Sequence, residues 1–285
     1  MHKGNRKPVA AGRFYPKDKN VLAGLVWDLL QGCPRAEESQ LQQTTGILVP
    51  HAGYPYSGTT AAAAFGYAQA AAPRRIWLVG PSHTLAFAGI ALSGAAAFES
   101  PIGINPVSPV VSELAELPGF MLLESAHSPE HSLEVELPFI QTVWGEVPIV
   151  PLLIGNENDW EDVSALAASL RDFLQPGDFW VVSNDFTHYG SAFGYTPFPH
   201  HRAAEEIRKL DQRGAQLITT ANAQEFHQLA KTTTFDGATS IPLALLCQAP
   251  CKATLLMHVL SGDSTGNYDH SVSYLAMAFQ RREKS

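Results

Sequence analysis

The hydrophobic positions alternate between short continuous runs and helical stripes for most of the chain. Residues 17–31 place Val21, Leu22, Leu25, Val26, Leu29 and Leu30 on one broad face and predict a helix. Gly46–Pro50 and Arg75–Gly80 are short β-branched, apolar runs that break into Pro or Gly, the pattern of buried strands. Between them Ser57–Ala72 is an Ala-rich helix with Ser57 as its cap and Pro73 closing it. Gly89–Ser93 reads as a short strand, Pro101–Pro109 as irregular, Ser108–Leu117 as a helix, and Ser132–Trp144 as a helix interrupted by Pro138. The second half repeats the rhythm, with strands at Pro148–Ile154 and Asp178–Ser183 around a helix at Asp159–Leu174. Helices at His200–Thr220, Ala223–Lys231 and Gly237–Cys247 follow, then closing strands at Ala253–Ser261 and Val272–Phe279. Strands separated by helices predict a three-layer α/β/α sandwich with a mixed, mostly parallel central sheet. Residues 84–132 and 184–200 carry little regular pattern, and loops of that length in a compact domain are usually functional or insertions.

At 285 residues the chain fits one large α/β domain, residues 1–285, and its 45% apolar content supplies a full core. The 19 basic and 27 acidic residues leave a net charge of −8, with no basic run beyond Arg281-Arg282-Glu283-Lys284, which argues against a nucleic-acid partner. No run approaches the ~18 apolar residues of a membrane span. The N-terminus lacks the apolar core of a secretion signal, so a cytoplasmic, reducing setting is expected. Cys33, Cys247 and Cys251 form no disulfide framework; Cys247 and Cys251 are spaced as metal ligands can be, but fit better as small buried hydrophobes.

Three strand-like runs end in histidine. They are Gly46–Pro50 before His51, Arg75–Gly80 before His83, and Asp178–Ser183 before Asp185 and His188. Ligands of open α/β sheets sit outside the carboxyl ends of the strands, so these residues are expected to converge on one pocket. Ser82 is positioned as a donor to a ring nitrogen or a bound anion. Asp185 and His188, three apart, suit a ligand pair or a general base with its orienting acid. Asp236 opens a helix and reads first as a cap, yet two histidines with one carboxylate also form the facial triad that holds Fe(II). Glu130-His131-Ser132 is a smaller cluster in which capping explains the acid, and His131 suits an acid or an anion binder. His2, His127, His200, His201, His227, His258 and His270 receive no role.

The stretches P-V-A-A-G-R-F-Y-P, V-P-H-A-G-Y-P-Y-S-G, G-P-S-H, E-H-S-L-E-V-E-L-P-F, S-N-D-F-T-H-Y-G and H-S-V-S-Y-L-A, in that order, make the chain resemble the Memo family, whose bacterial and archaeal members are called AmmeMemoRadiSam system protein B. The resemblance implies a fold like that of LigB-type class III extradiol dioxygenases, which hold non-haem iron with two His and one Glu and use a further His as acid/base. By that likeness His51 and His83 match the two ligands, His188 the catalytic His, and Asp185 its neighbour. The third ligand position follows a T-x-C-G stretch in animal members; here Thr234-Phe235-Asp236-Gly237 stands there, a carboxylate in place of a thiolate. Asp185 is the substitute third ligand. The expected metal is Fe(II), with Zn or Cu as alternatives.

Three functions stay open at this point. One is an iron-dependent oxidoreductase acting on a catechol-like substrate, with Tyr54, Tyr56 and Tyr189 shaping the pocket. The second is a binding or scaffold protein for a peptide or metabolite. The third is a metal-dependent hydrolase. The family's gene company also implies radical-SAM and AMMECR1-like protein partners.

Overall fold

The computed structural model describes residues 4–282; His2 and the last three residues of the basic C-terminus lie outside them. The strands are β1 (Thr44–Val49), β2 (Arg75–Pro81), β3 (Ile90–Leu92), β4 (Ala97–Glu99), β5 (Ile104–Pro106), β6 (Phe120–Leu122), β7 (Ile149–Ile154), β8 (Asp178–Ser183), β9 (His188–Tyr189), β10 (Cys251–Leu260) and β11 (Ser271–Arg281). The helices are α1 (Lys19–Gln31), α2 (Glu38–Gln43), α3 (Tyr54–Tyr67), α4 (Val110–Leu114), α5 (Glu124–His127), α6 (Leu137–Trp144), α7 (Trp160–Arg171), α8 (Ala203–Thr219), α9 (Ala223–Lys231), α10 (Ser240–Gln248) and α11 (Ser261–Thr265).

The large sheet runs β10-β11-β1-β8-β2-β7-β3-β6, with β9 paired to β11. Its centre, β1-β8-β2-β7, is parallel. Antiparallel pairs flank that centre at β1–β11 and β7–β3. Central parallel strands are covered on both faces, and successive residues point to opposite sides. Ile47, Val49, Ile76, Leu78, Phe179 and Val181 therefore enter one core under α1, α3 and α6. Their neighbours Leu48, Trp77, Val79, Trp180 and Val182 enter the other, under α4 and α7–α10. The result is the expected three-layer sandwich. Among the described residues no helix is long and apolar enough to cross a membrane.

The structure corrects several local expectations. Residues 101–109 are not wholly irregular, because Ile104–Pro106 pairs with Ala97–Glu99 in a separate two-stranded sheet. Helix α3 starts three residues earlier than Ser57 suggests, with Pro55 in its first turn; Ser57 Oγ instead donates to the Ala52 carbonyl at 2.8 Å. Pro138 begins α6 rather than interrupting it, since an amide is not needed in a first turn. The pattern-poor segment 84–132 holds strands of only three residues, too short for a visible period. Cys247 and Cys251 are buried in the helix-covered core, and burial pushes their thiols up to about 12 and about 11.

Candidate metal centre

His51, His83 and Asp185 each lie two residues beyond the end of a strand. The three strands, β1, β2 and β8, are parallel neighbours, so the same offset brings all three residues to one edge of the sheet. Pro50 and Pro81 help end the pairing there, since proline has no amide to donate. The fourth residue arrives from the other side. Asp236 precedes α10 by four residues, and the cap of that helix is Thr239, so Asp236 is not a helix cap. Its backbone N–H donates to the Asp185 carbonyl at 3.3 Å. Gly237 lets this loop press inward: a Cβ there would stand 2.9 Å from Asn184 Oδ1 and 2.5 Å from Ile241 Cδ1.

Asp236 Oδ2 stands 3.3 Å from His51 Nε2, 3.5 Å from His83 Nε2 and 3.8 Å from His188 Nε2. This oxygen is buried, and no neighbour is aligned to hydrogen-bond it. The far nitrogen of each ring is committed elsewhere. His188 Nδ1 faces the carbonyls of Phe186 and Thr234, each at 3.0 Å, and carbonyls only accept, so Nδ1 carries the proton. His83 Nδ1 lies 3.0 Å from Glu130 Oε1. Burial alone would raise the Glu130 carboxyl, but His131 and His83 hold it well below the usual carboxylate range, so it accepts. His51 Nδ1 lies 3.1 Å from Ser183 Oγ, whose own proton has acceptors in the Ser132 carbonyl at 2.7 Å and Glu136 at 2.9 Å. Each imidazole is therefore oriented with its Nε2 toward Asp236. Such partners behind ligating histidines orient the ring and raise its basicity. A buried polar atom without a partner in a native fold calls for an explanation, and a cation between the four groups supplies one.

Two groups in the cluster have ligand atoms close enough to share a metal. One is His51, His83 and His131; the other is His51, Asp185 and Asp236. Asp185 Oδ1 accepts the His51 backbone N–H at 2.9 Å, so it anchors the chain at His51. It does not hydrogen-bond the His188 ring, whose Nδ1 the two carbonyls occupy. A cleft of about 390 Å³ opens beside the cluster, lined by Ser82, His83, Asn156, Lys231, Phe235 and Asp236, among others.

Several sequence expectations meet different surroundings. Ser82 lines the cleft, but its hydroxyl donates to the Leu85 carbonyl at 2.7 Å and holds the loop rather than a ring nitrogen. Tyr54 is buried in the core between Tyr15 and Phe139, its hydroxyl on the Val135 carbonyl. Tyr189 is fully buried, stacked on Phe198, with its hydroxyl on the Phe198 carbonyl. Neither tyrosine shapes the pocket. Tyr56 is 52% exposed and lines a separate cleft with His270 and Tyr274. The supporting residues Glu130, Ser183 and Thr234 escaped sequence reading. Glu130 carried a signal in its run Glu130-His131-Ser132, but capping explained it equally well; Ser183 and Thr234 have none.

Electrostatics set a pH dependence. Burial pulls the His83 imidazole down, but the Asp236 and Glu130 carboxylates overcome this and push it up to about 10. For Asp236, burial raises the carboxyl, and His188, His51 and His83 together hold it well below the usual range. A metal must displace the His83 proton, so uptake is expected to release protons at neutral pH and to tighten as pH rises. In the metal-free protein, His83 contributes stability fully present below its unfolded value of 6.5 and lost as pH rises through about 10. Denaturation of metal-free protein at pH 6.5, 8 and 9.5 checks this; a stability that rises over that window through this group would contradict the arrangement.

Fold and cluster together define a three-layer α/β protein with a histidine–carboxylate pocket at the carboxyl edge of its parallel strands. A family model described as Memo-like protein matches residues 6–278, and the chain belongs to the Memo family. A MEMO1 family protein of Aquifex aeolicus (strain VF5) is 32% identical over 282 residues, covering 96% of this chain and 98% of that protein. A protein memo-1 homolog of Caenorhabditis elegans is 31% identical over 210 residues, 71% of this chain and 60% of that protein. The solved structure of an uncharacterised Escherichia coli K12 protein superposes with a TM-score of 0.50 at 14% identity, covering 83% of this chain and 99% of that one, a likeness of fold alone.

Proposed function

We propose that the pocket binds one metal ion on His51, His83 and Asp236, and that with Fe(II) bound the protein oxidises a small substrate bearing two adjacent oxygens. The observation that carries the reading is the buried Asp236 Oδ2, without a hydrogen-bond partner and faced by three Nε2 atoms within 3.8 Å. Two neutral imidazoles and one carboxylate are the set that suits Fe(II) with positions left open, and the ion when bound would supply Lewis acidity and a route to dioxygen chemistry. His188 is the proton carrier of this reading. Its Nδ1–H is held by two carbonyls, so a substrate hydroxyl proton would pass to Nε2, on the pocket side. Glu130 and Ser183 keep the His83 and His51 rings aimed. The cleft beside His83 and Asp236 would admit the substrate, with Lys231 on its wall. Tyr54 and Tyr189, expected to shape the substrate pocket, are core residues, so Phe235 is the aromatic side chain on the cleft wall in this reading.

The test is oxygen uptake by iron-loaded protein with catechol, for wild type and His188→Gln. Uptake that falls on the order of a hundredfold in the variant at unchanged iron content supports the reading, in line with the ~10²–10⁴-fold worth of a general acid or base. Iron held tightly with no uptake from catechols of any substitution would return the pocket to the binding reading. Tighter zinc than iron, with ester or phosphoester cleavage, would favour hydrolysis.

A further inference from the structure

We propose that the pocket carries a second, overlapping ligand set, in which His131 replaces Asp236 and the three imidazoles of His51, His83 and His131 hold a borderline metal such as Zn²⁺. This rests on the reading of the pocket as a metal centre and deepens it. One ring nitrogen from each of the three histidines lies within 4.8 Å of the others. Their ring centroids are 4.9 Å apart for His51–His83, 4.9 Å for His83–His131 and 5.5 Å for His51–His131.

Glu130 is the reason this set is usable. Its Oε1 takes the His83 Nδ1–H at 3.0 Å and stands 3.2 Å from His131 Nδ1. One buried carboxylate therefore orients two rings through Nδ1 and leaves Nε2 of each as the nitrogen a metal would take on displacing any proton there. Glu130 is itself pinned by the backbone N–H groups of His83, His131 and Ser132. On the outer side of His131, Phe14 backs the ring at a centroid distance of 4.4 Å. Tetrahedral zinc with nitrogens at about 2.0–2.1 Å wants them about 3.4 Å apart, so the widest pair needs to close by no more than about 1.4 Å, shared between two side chains. Three imidazoles with one open position suit zinc or copper, whereas the carboxylate of Asp236 suits the harder Fe(II). The two sets share His51 and His83, so only one can be filled at a time.

The two sets differ in which residue each metal needs. Wild type, Asp236→Ala, His131→Phe and the double variant are each loaded with Fe²⁺ without oxygen, or with Zn²⁺, then desalted and assayed for metal, with circular dichroism confirming the fold. Phenylalanine keeps the ring against Phe14, and His131→Gln is the second choice where that packing fails. Asp236→Ala is expected to lose iron yet retain close to one zinc per chain, and His131→Phe to keep iron. The double variant should bind zinc at least tenfold more weakly than Asp236→Ala. Loss of zinc by Asp236→Ala, or zinc retained undiminished by the double variant, would overturn the second set while leaving the first intact. Wild type that takes neither metal would instead remove the metal centre itself.

Discussion

Asp236→Ala is expected to lower iron affinity by at least about a hundredfold, beyond the ~10–100-fold typical of losing a group that only supports a ligand. The reason is in the placement of one oxygen. Asp236 Oδ2 is buried, makes no hydrogen bond, and is the common neighbour of the His51, His83 and His188 Nε2 atoms. Alanine removes the one negative charge that those three nitrogens share, so Fe²⁺ is left without the hard carboxylate oxygen and keeps only neutral imidazole donors. Asp236→Asn keeps the volume but not the charge and is expected to fall close to alanine, which separates charge from packing. Glu130→Ala tests the layer behind. It is expected to weaken iron by ~10–100-fold, because His83 loses the acceptor that fixes its tautomer. Metal analysis of protein purified without oxygen reads all three. Equal iron in wild type and Asp236→Ala would end the proposed site.

The largest effect on stability is expected at Glu134, which no chemistry uses. Its carboxylate is fully buried and accepts from the Arg6 guanidinium, the Tyr15 hydroxyl and the backbone N–H groups of Val9 and Ala10. It thereby ties residues 6–15, including Phe14 behind His131, onto the body of the sandwich. Glu134→Ala leaves Arg6, itself 6% exposed, as a buried cation without its carboxylate. Breaking such a pair by removing one partner costs about 3–5 kcal/mol. Arg6→Leu with Glu134→Leu should cost less than the two single changes together, because the pair is removed whole and its charges no longer need compensation. Urea denaturation of metal-free protein measures both. A loss below ~1 kcal/mol for Glu134→Ala would mean that the segment is not held in this way.

Sequence and structure part company at identifiable places. His51, His83 and Asp185 were legible because each follows a short apolar run that ends in Pro, Gly or a polar residue, and parallel strands bring their ends to one edge. Tyr54 and Tyr189 stand beside pocket residues in the chain and point into cores, since direction along an element follows its period and not sequence proximity. Asp236 read first as a helix cap, with the ligand role drawn from the two-histidine-one-carboxylate pattern and the family resemblance. Only the start of α10 at Ser240 removed the first.

The sequence alone determined the alternation of strands and helices, the α/β class, the family likeness and four of the residues around the pocket, His51, His83, Asp185 and His188. Apart from the family likeness, which rests on the ordered motifs, these are properties of local periodicity and of strand ends, which the chain writes out in order. Tertiary structure decided the strand order, with β8 inserted between β1 and β2, and the meeting of Asp236 with histidines 185 and 153 residues earlier in the chain, at His51 and His83. It also decided that Glu130 serves two rings and that Ser183 serves a third. Those contacts depend on how far apart elements pack once both sheet faces are covered, and no local pattern of residues records that distance.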